Sequence, residues 1–274
     1  MFDNVLNRIT YHAVYDDSIL DALHYARDNG FFGVQVAVET PHLSFERLSD
    51  RECDEIKEFV SQNGLWLSLH GPDETGSLFE TSSLLTNGIF NYYAGLFSFA
   101  ERTGARMVTV HLGKMTPFRT DNSPEQVVPE VDLALYEAAL KTNLQRLIDL
   151  AAGRFVLCVE SYNLDATALS VLQPRLDSGE LFLCWDLAKT FNRGATEVED
   201  YFRLNLGCVK QVHLHDVNSE GRSHRVIGSG RLDFPRYLSR LSAADVLEYC
   251  IEVRPREKAK ESLENLKSIV GARR

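Results

Sequence analysis

Eight short apolar segments, each separated from the next by a helix-like stretch, constrain this chain more than any other feature. They end at His12, Glu39, His70, His111, Glu160, Asp186, His213 and Glu252. Strands that alternate with helices pair in parallel through crossovers. Runs such as Phe155-Val-Leu-Cys-Val are expected when both faces of a strand are buried. An open, doubly wound sheet is the alternative. Closure is favoured, because only a closed barrel aims all eight chemically able ends at one centre.

The expected fold is therefore α/β, a single (β/α)8 TIM barrel over residues 1–274 with outer helices. Its 274 residues suit one such domain, for which about 250 is typical. Residues two apart in a strand share a face. Two positions before the eight ends stand Thr10, Ala37, Ser68, Thr109, Cys158, Cys184, Gln211 and Cys250. All but Gln211 are small, as a narrow barrel interior beneath a ligand site would favour. Helices are expected over 18–28, from Ser44 to a stop at Asn63-Gly64, and over 87–103, 131–152, 164–176, 198–206, 234–241 and 257–270.

In a parallel barrel, active sites are built at the carboxyl ends of the strands. Glu160, Asp186, His213 and Glu252 occupy four such ends in succession. Carboxylates with an imidazole suit a divalent cation, and buried carboxylates are costly without a cation or partner. Taken singly, each has an ordinary alternative. Glu160 would sit beside a helix N-cap, Asp186 in a turn, His213 in a satisfied core, and Glu252 in an ion pair with Arg254. As a set they point to a metal, here Mn, Mg, Co or Zn.

His70 and His111 are candidates for a second metal or for substrate. Glycines follow them closely, at Gly71 and Gly113, and let a loop approach a ligand. His215 shares a face with His213, while Lys189 and Arg222 are cations near the rim. Lys189, His215, Arg222 and His224 are the expected substrate contacts. The cations suggest an anionic small molecule. His12 and Glu39 are weaker candidates. Gly228-Ser-Gly230 reads as a flexible turn over the mouth, not as a dinucleotide fingerprint.

Other classes fit poorly. A formal net charge of -10 argues against a nucleic-acid surface. No segment approaches the ~20 apolar residues of a membrane span. No signal segment opens the chain, and the five cysteines show no CxxC spacing, which suits reduced thiols in a cytoplasm. No GxSxG elbow occurs, and Cys158, Cys184 and Cys250 point inward, away from a nucleophile's role.

The ordered set Leu69-His70-Gly-Pro, Val110-His111-Leu-Gly, Val159-Glu160-Ser-Tyr-Asn, Trp185-Asp186-Leu-Ala-Lys189, Val212-His213-Leu-His-Asp216, His224 with Gly228-Ser-Gly230, and Ile251-Glu252 resembles the xylose isomerase-like TIM-barrel superfamily. The resemblance covers nearly the whole chain. That group includes sugar and sugar-phosphate isomerases and epimerases, inosose-processing enzymes and endonuclease IV. In its isomerases and epimerases, the matches to Glu160, Asp186, His213 and Glu252 hold one divalent metal, and the two glutamates exchange the substrate proton. In endonuclease IV, those four with the matches to His70 and His111 belong to a three-zinc site. This chain departs from that pattern. Lys189 stands where the D-x-x-H motif has histidine, and Arg222 falls near an expected aspartate ligand, while His224 is kept. A third zinc is therefore not expected.

The resemblance implies a metal-dependent isomerase or epimerase acting on a sugar or sugar derivative through an enediolate, with Glu160 and Glu252 as the proton-transfer pair. Alternatives on the same scaffold are a metal-dependent phosphoesterase or AP endonuclease-like hydrolase, a dehydratase, and a non-catalytic binding protein. The oligomeric state is left open.

Overall fold

A computed structural model describes residues 3–73, 75–119, 126–193 and 196–271. Eight parallel strands close into a barrel. They are β1 (Ile9–Ala13), β2 (Gly33–Ala37), β3 (Trp66–His70), β4 (Met107–Val110), β5 (Val156–Glu160), β6 (Phe182–Asp186), β7 (Val209–Leu214) and β8 (Glu248–Ile251). Each strand pairs with the next in sequence. β1 closes the ring against β8, with Thr10 opposite Cys250. The expected closed barrel is the observed fold.

The outer layer comprises α1 (Ile19–Asn29), α2 (Asp50–Asn63), α3 (Ser83–Thr103), α4 (Glu130–Ala151), α5 (Ala166–Asp177), α6 (Thr196–Leu204), α7 (Phe234–Leu241) and α8 (Arg256–Gly271). Local chemistry fixes their limits. Ser18 accepts the Asp21 N–H at the start of α1, and Ser49 with Glu52 forms a reciprocal capping box on α2. Gly30, Gly64 and Gly104 end their helices in the left-handed conformation. α2 starts at Asp50 rather than near Ser44, because residues 45–47 make a separate 3-10 turn. A short helix, Leu187–Arg193, and a hairpin pairing Phe118–Arg119 with Gln126–Val127 were not legible in the sequence.

Alternate strand residues sort into two environments. Tyr11, Val36, Leu69, Val110, Val159, Trp185 and Leu214 face the helices and join the main core. The other set faces the barrel axis, where Trp66, Met107, Cys158 and Cys184 form an apolar cluster of their own. The three inward cysteines are fully buried, and burial pushes their thiols up, so they are not poised as nucleophiles.

The interior is not wholly small and apolar. Fully buried Glu248 accepts hydrogen bonds from Thr10 (2.6 Å), Ser68 (2.8 Å), Trp66 Nε1 (3.0 Å) and Gln211 (2.8 Å). Thr109 donates to Gln211, and Gln35 reaches Thr109 at 3.4 Å. This network floors the site. It also corrects the reading of β2. That strand ends at Ala37, which pairs with His70, so Gln35 rather than Ala37 lies opposite Ser68. Glu39 falls beyond the strand, is exposed, and accepts the Asp73 N–H at 2.9 Å. Among the described residues, no helix is long and apolar enough to cross a membrane.

Candidate metal and substrate site

The strand ends deliver the four candidate ligands to one place. Glu160 ends β5, Asp186 ends β6, His213 lies on β7, and Glu252 follows β8. All four are at least 98% buried. His213 Nδ1 lies 3.3 Å from Glu160 Oε2 and 3.4 Å from Glu252 Oε1. Ligand-capable atoms of Asp186, His213 and Glu252 lie within 4.8 Å of one another, as do those of His70, Glu160 and His213. His213 is common to both groups.

Each acid is held by a specific neighbour. Asp186 Oδ1 caps the short helix that follows it by accepting the Lys189 N–H at 2.8 Å, and its Oδ2 faces His215 Nε2 at 3.1 Å. His215 Nδ1 accepts the His224 backbone N–H at 3.0 Å, so the ring donates from Nε2 to Asp186. The His215 and His224 rings stack at 4.2 Å. His215 therefore does face the site, braced between Asp186 and His224. The short helix carries Lys189 back over the mouth. Its Nζ lies 3.8 Å from Glu160 Oε1, 3.9 Å from Asp186 Oδ2 and 4.3 Å above the Tyr162 ring.

His70 and His111 converge on Glu160 Oε2, at 3.2 and 2.9 Å. His111 Nδ1 also pairs with Asp73 at 3.0 Å. Gly113 follows with φ +79°, and a Cβ there would lie 2.3 Å from Ser77 Oγ, so this position requires glycine. His70 is informative about charge. Its Nδ1 lies 2.8 Å from the Gly71 carbonyl and can only donate to it. A neutral His70 would then turn the Nε2 lone pair toward a carboxylate oxygen. That geometry needs a proton or a metal ion between the two atoms.

Electrostatics follow from the same contacts. Burial alone would raise the acids. The surrounding histidines and Lys189 outweigh it and hold Glu160 and Glu252 well below the ordinary carboxylate range. Asp186 is also lowered against its burial, chiefly by His215. Burial would lower His213, yet Glu252 and Glu160 push it up to about 9. Lys189 is likewise raised by Glu160 and Asp186 against its own burial. Among the described residues, His213 Nε2 and Glu160 Oε1 are buried without a hydrogen-bond partner. Orphaned ligand atoms on an imidazole and a carboxylate, beside two further acids, fit a divalent cation.

Above the acids opens a small polar cavity of about 100 Å³, tighter than the ~300–1,000 Å³ typical of drug-sized ligand sites. His12, His70, Lys189, His224, Glu252 and Arg254 line it, together with Glu39 and Asp73. Arg222 is not part of it. Its side chain is 69% exposed and pairs with Glu220 at 3.1 Å on the loop surface, away from the cavity lining where a substrate contact was expected. The loop beneath Arg222 is not a free turn either. Asp216 accepts four backbone N–H groups, from Val217 (2.8 Å), Gly228 (3.0 Å), Gly230 (2.8 Å) and Leu232 (3.1 Å). Gly230 is needed there, since a Cβ would meet the Val217 carbonyl at 2.3 Å.

Sequence reasoning gave no site role to Arg254, Asp73, Asp216 or Glu248. Arg254 had a usable signal, because it lies two residues past Glu252 and so shares its face. It does not pair with Glu252 as the ordinary alternative had it. Glu252 instead faces His12 at 3.2 Å, and Arg254 turns to His12 as well.

The pattern of the xylose isomerase-like TIM barrel family matches residues 23–269. No curated protein matches the chain. Many solved structures share the fold. The 3-keto-D-glucoside 4-epimerase YcjR from E. coli aligns with TM-score 0.71 and 17% identity over 96% of this chain and 99% of that one. A D-tagatose 3-epimerase-like protein aligns with TM-score 0.74 and 17% identity over 97% of each chain. A Thermus thermophilus protein soaked with ZnCl2 aligns with TM-score 0.69 and 20% identity over 97% of this chain and 98% of that one.

Proposed function

The chain belongs to the xylose isomerase-like TIM-barrel family, and on that premise we propose that it is a divalent-metal-dependent isomerase or epimerase of a small hydroxy-carbonyl compound, a sugar or sugar derivative. One observation carries the reading. Two buried glutamates, Glu160 and Glu252, flank a single imidazole, His213, within 3.4 Å, beneath a polar cavity. Glu160, Asp186, His213 and Glu252 would hold the metal. When bound, the ion supplies Lewis-acid polarisation of a carbonyl or hydroxyl oxygen.

The chain's own groups supply the rest. Glu252 and Glu160 take and return the proton of the carbon beside the carbonyl. Their depressed pKa values keep them ionised at neutral pH, as a base requires. Asp186 is fixed by its helix cap and by His215, so it is oriented before substrate arrives. Lys189, an ammonium beside Glu160, stabilises negative charge that develops on the enediolate oxygen. Burial of the acids below the cavity keeps water from quenching that charge.

The test is turnover of ketoses and aldoses, phosphorylated and free, in D2O with Mn2+ or Co2+. The product should carry solvent deuterium at the carbon beside the carbonyl. Glu252→Gln should fold and lose at least ~100-fold in rate, since an amide cannot shuttle the proton. Turnover without deuterium, or full activity in the Gln variant, would overturn the proposal.

A further inference from the structure

We propose that Arg254 and His12 form an anion-binding subsite beside the proton-transfer carboxylate, and that the substrate carries a carboxylate or phosphate group there. This rests on the isomerase or epimerase reading for the meaning of the site, but not for the binding itself.

The argument starts from what an arginine can do. Its guanidinium only donates, and it stays charged. Arg254 Nη2 lies 2.6 Å from His12 Nδ1, the nitrogen that also faces Glu252 Oε1 at 3.2 Å. His12 is 95% buried and lines the cavity, and its Nε2 has no hydrogen-bond partner among the described residues. A polar ring nitrogen is therefore buried beside the cavity with nothing to bond. Arg254 Nε is in the same state.

The charge is equally unbalanced. Lys189, the other cation of the cavity, lies against Glu160 and Asp186. Arg256, two residues further on, pairs with Asp16 and Asp21. Among the described residues Arg254 has only the His12 contact and no carboxylate at ion-pair distance. Glu252, which shares its face, is taken by His12 and His213. The other acids that line the cavity are also engaged. Glu39 holds the Asp73 N–H, and Asp73 pairs with His111. A half-buried guanidinium without a counter-charge is costly, and an anionic ligand removes that cost.

The position fits substrate recognition. Glu252 Oε1 touches both His12 Nδ1 and His213 Nδ1, so the subsite adjoins the proton-transfer carboxylate directly. An anion paired with the Arg254 guanidinium, beside His12, would fix which carbon faces Glu252. The sequence pointed to an anionic substrate through Lys189 and Arg222. The structure moves that role to Arg254.

The experiment is calorimetric titration of inorganic phosphate, malonate and neutral erythritol into metal-loaded and into chelator-stripped protein. Wild-type protein should bind at least one anion in the millimolar range in both states. Arg254→Met should weaken that anion by roughly tenfold or more, the worth of one charge-assisted contact, and leave erythritol unchanged. Should Arg254→Met fail to fold, Arg254→Gln, which keeps a donor toward His12, carries the same expectation. Preference for phosphate over malonate assigns a phosphate ester, and the reverse assigns a carboxylate. No anion binding to wild type, binding only in the metal-loaded state, or equal affinity in the variant would overturn the subsite. These readouts need no turnover, so they fail or succeed independently of the deuterium test.

Discussion

Glu248→Met should destabilise the barrel far more than Glu248→Gln. The carboxylate accepts from two kinds of donor. Trp66 Nε1 and Gln211 Nε2 both bond Oε2, and neither donor group can turn into an acceptor. Thr10 and Ser68 bond Oε1 through hydroxyls that rotate and can also accept. A glutamine can point its carbonyl at the first pair and its amide at the second, so every partner stays satisfied. The Gln variant should fall within about 1 kcal/mol of wild type. Methionine leaves the indole and amide N–H groups buried and unbonded, and Gln211 is kept from flipping by the bond it accepts from Thr109. Two orphaned donors at about 1–3 kcal/mol each give roughly 2–6 kcal/mol. For a domain of this size that lowers the melting point by roughly 5–20 °C. Thermal and urea unfolding of the two variants measures it. A Met variant as stable as wild type would refute the reasoning. Desolvation of Glu248 would then cost as much as its hydrogen bonds return, as happens when whole buried ionic clusters are replaced by apolar ones.

Further predictions follow from the same contacts. Burial raises the Glu248 pKa against its four donors, so its favourable contribution is complete below the unfolded value and is lost as pH rises through the folded one. The melting point of wild type minus that of Glu248→Gln should therefore fall as pH increases from about 4 and then level off. A flat difference would show that the carboxyl does not titrate differently on folding. His213, pushed up to about 9, carries a proton at neutral pH that a metal ion must displace. Metal affinity should rise with pH toward that value, and calorimetry in buffers of different ionisation enthalpy should show proton release; its absence would contradict the assignment. Asp216→Ala should speed hydrogen exchange at Gly228, Gly230 and Leu232, whose N–H groups it accepts, while exchange in β3 and β4 stays unchanged.

Much of this was legible because strand alternation carries the information. A period of two places His70, Glu160, Asp186, His213 and Glu252 on the axis face at a common height, so their convergence follows from the pattern once the barrel closes. The reading failed where the period could not speak. Glu39 was placed at the rim because β2 was read two residues too long, and apolar Val38 gave no sign of the strand's end. Arg222 lies on a loop, where spacing does not set direction. The helix from Leu187 to Arg193 was missed, although Asp186 is its cap and it carries Lys189 over the acids. Glu248 went unremarked because a lone glutamate inside an apolar strand looks like a surface residue. Only its four partners, drawn from β1, β3 and β7, explain it. Arg254 entered only as an ordinary ion-pair alternative for Glu252, and its contact in the fold is with His12.

The central claim is that Glu160, Asp186, His213 and Glu252 share one metal ion. Titration of stripped protein with Mn2+, followed by electron paramagnetic resonance, tests it most directly. The account predicts one tightly bound Mn2+ per chain, lost in Asp186→Asn and in His213→Gln and retained in Arg254→Met. Two or three tight ions per chain, or a single ion indifferent to Asp186 and His213, would contradict it.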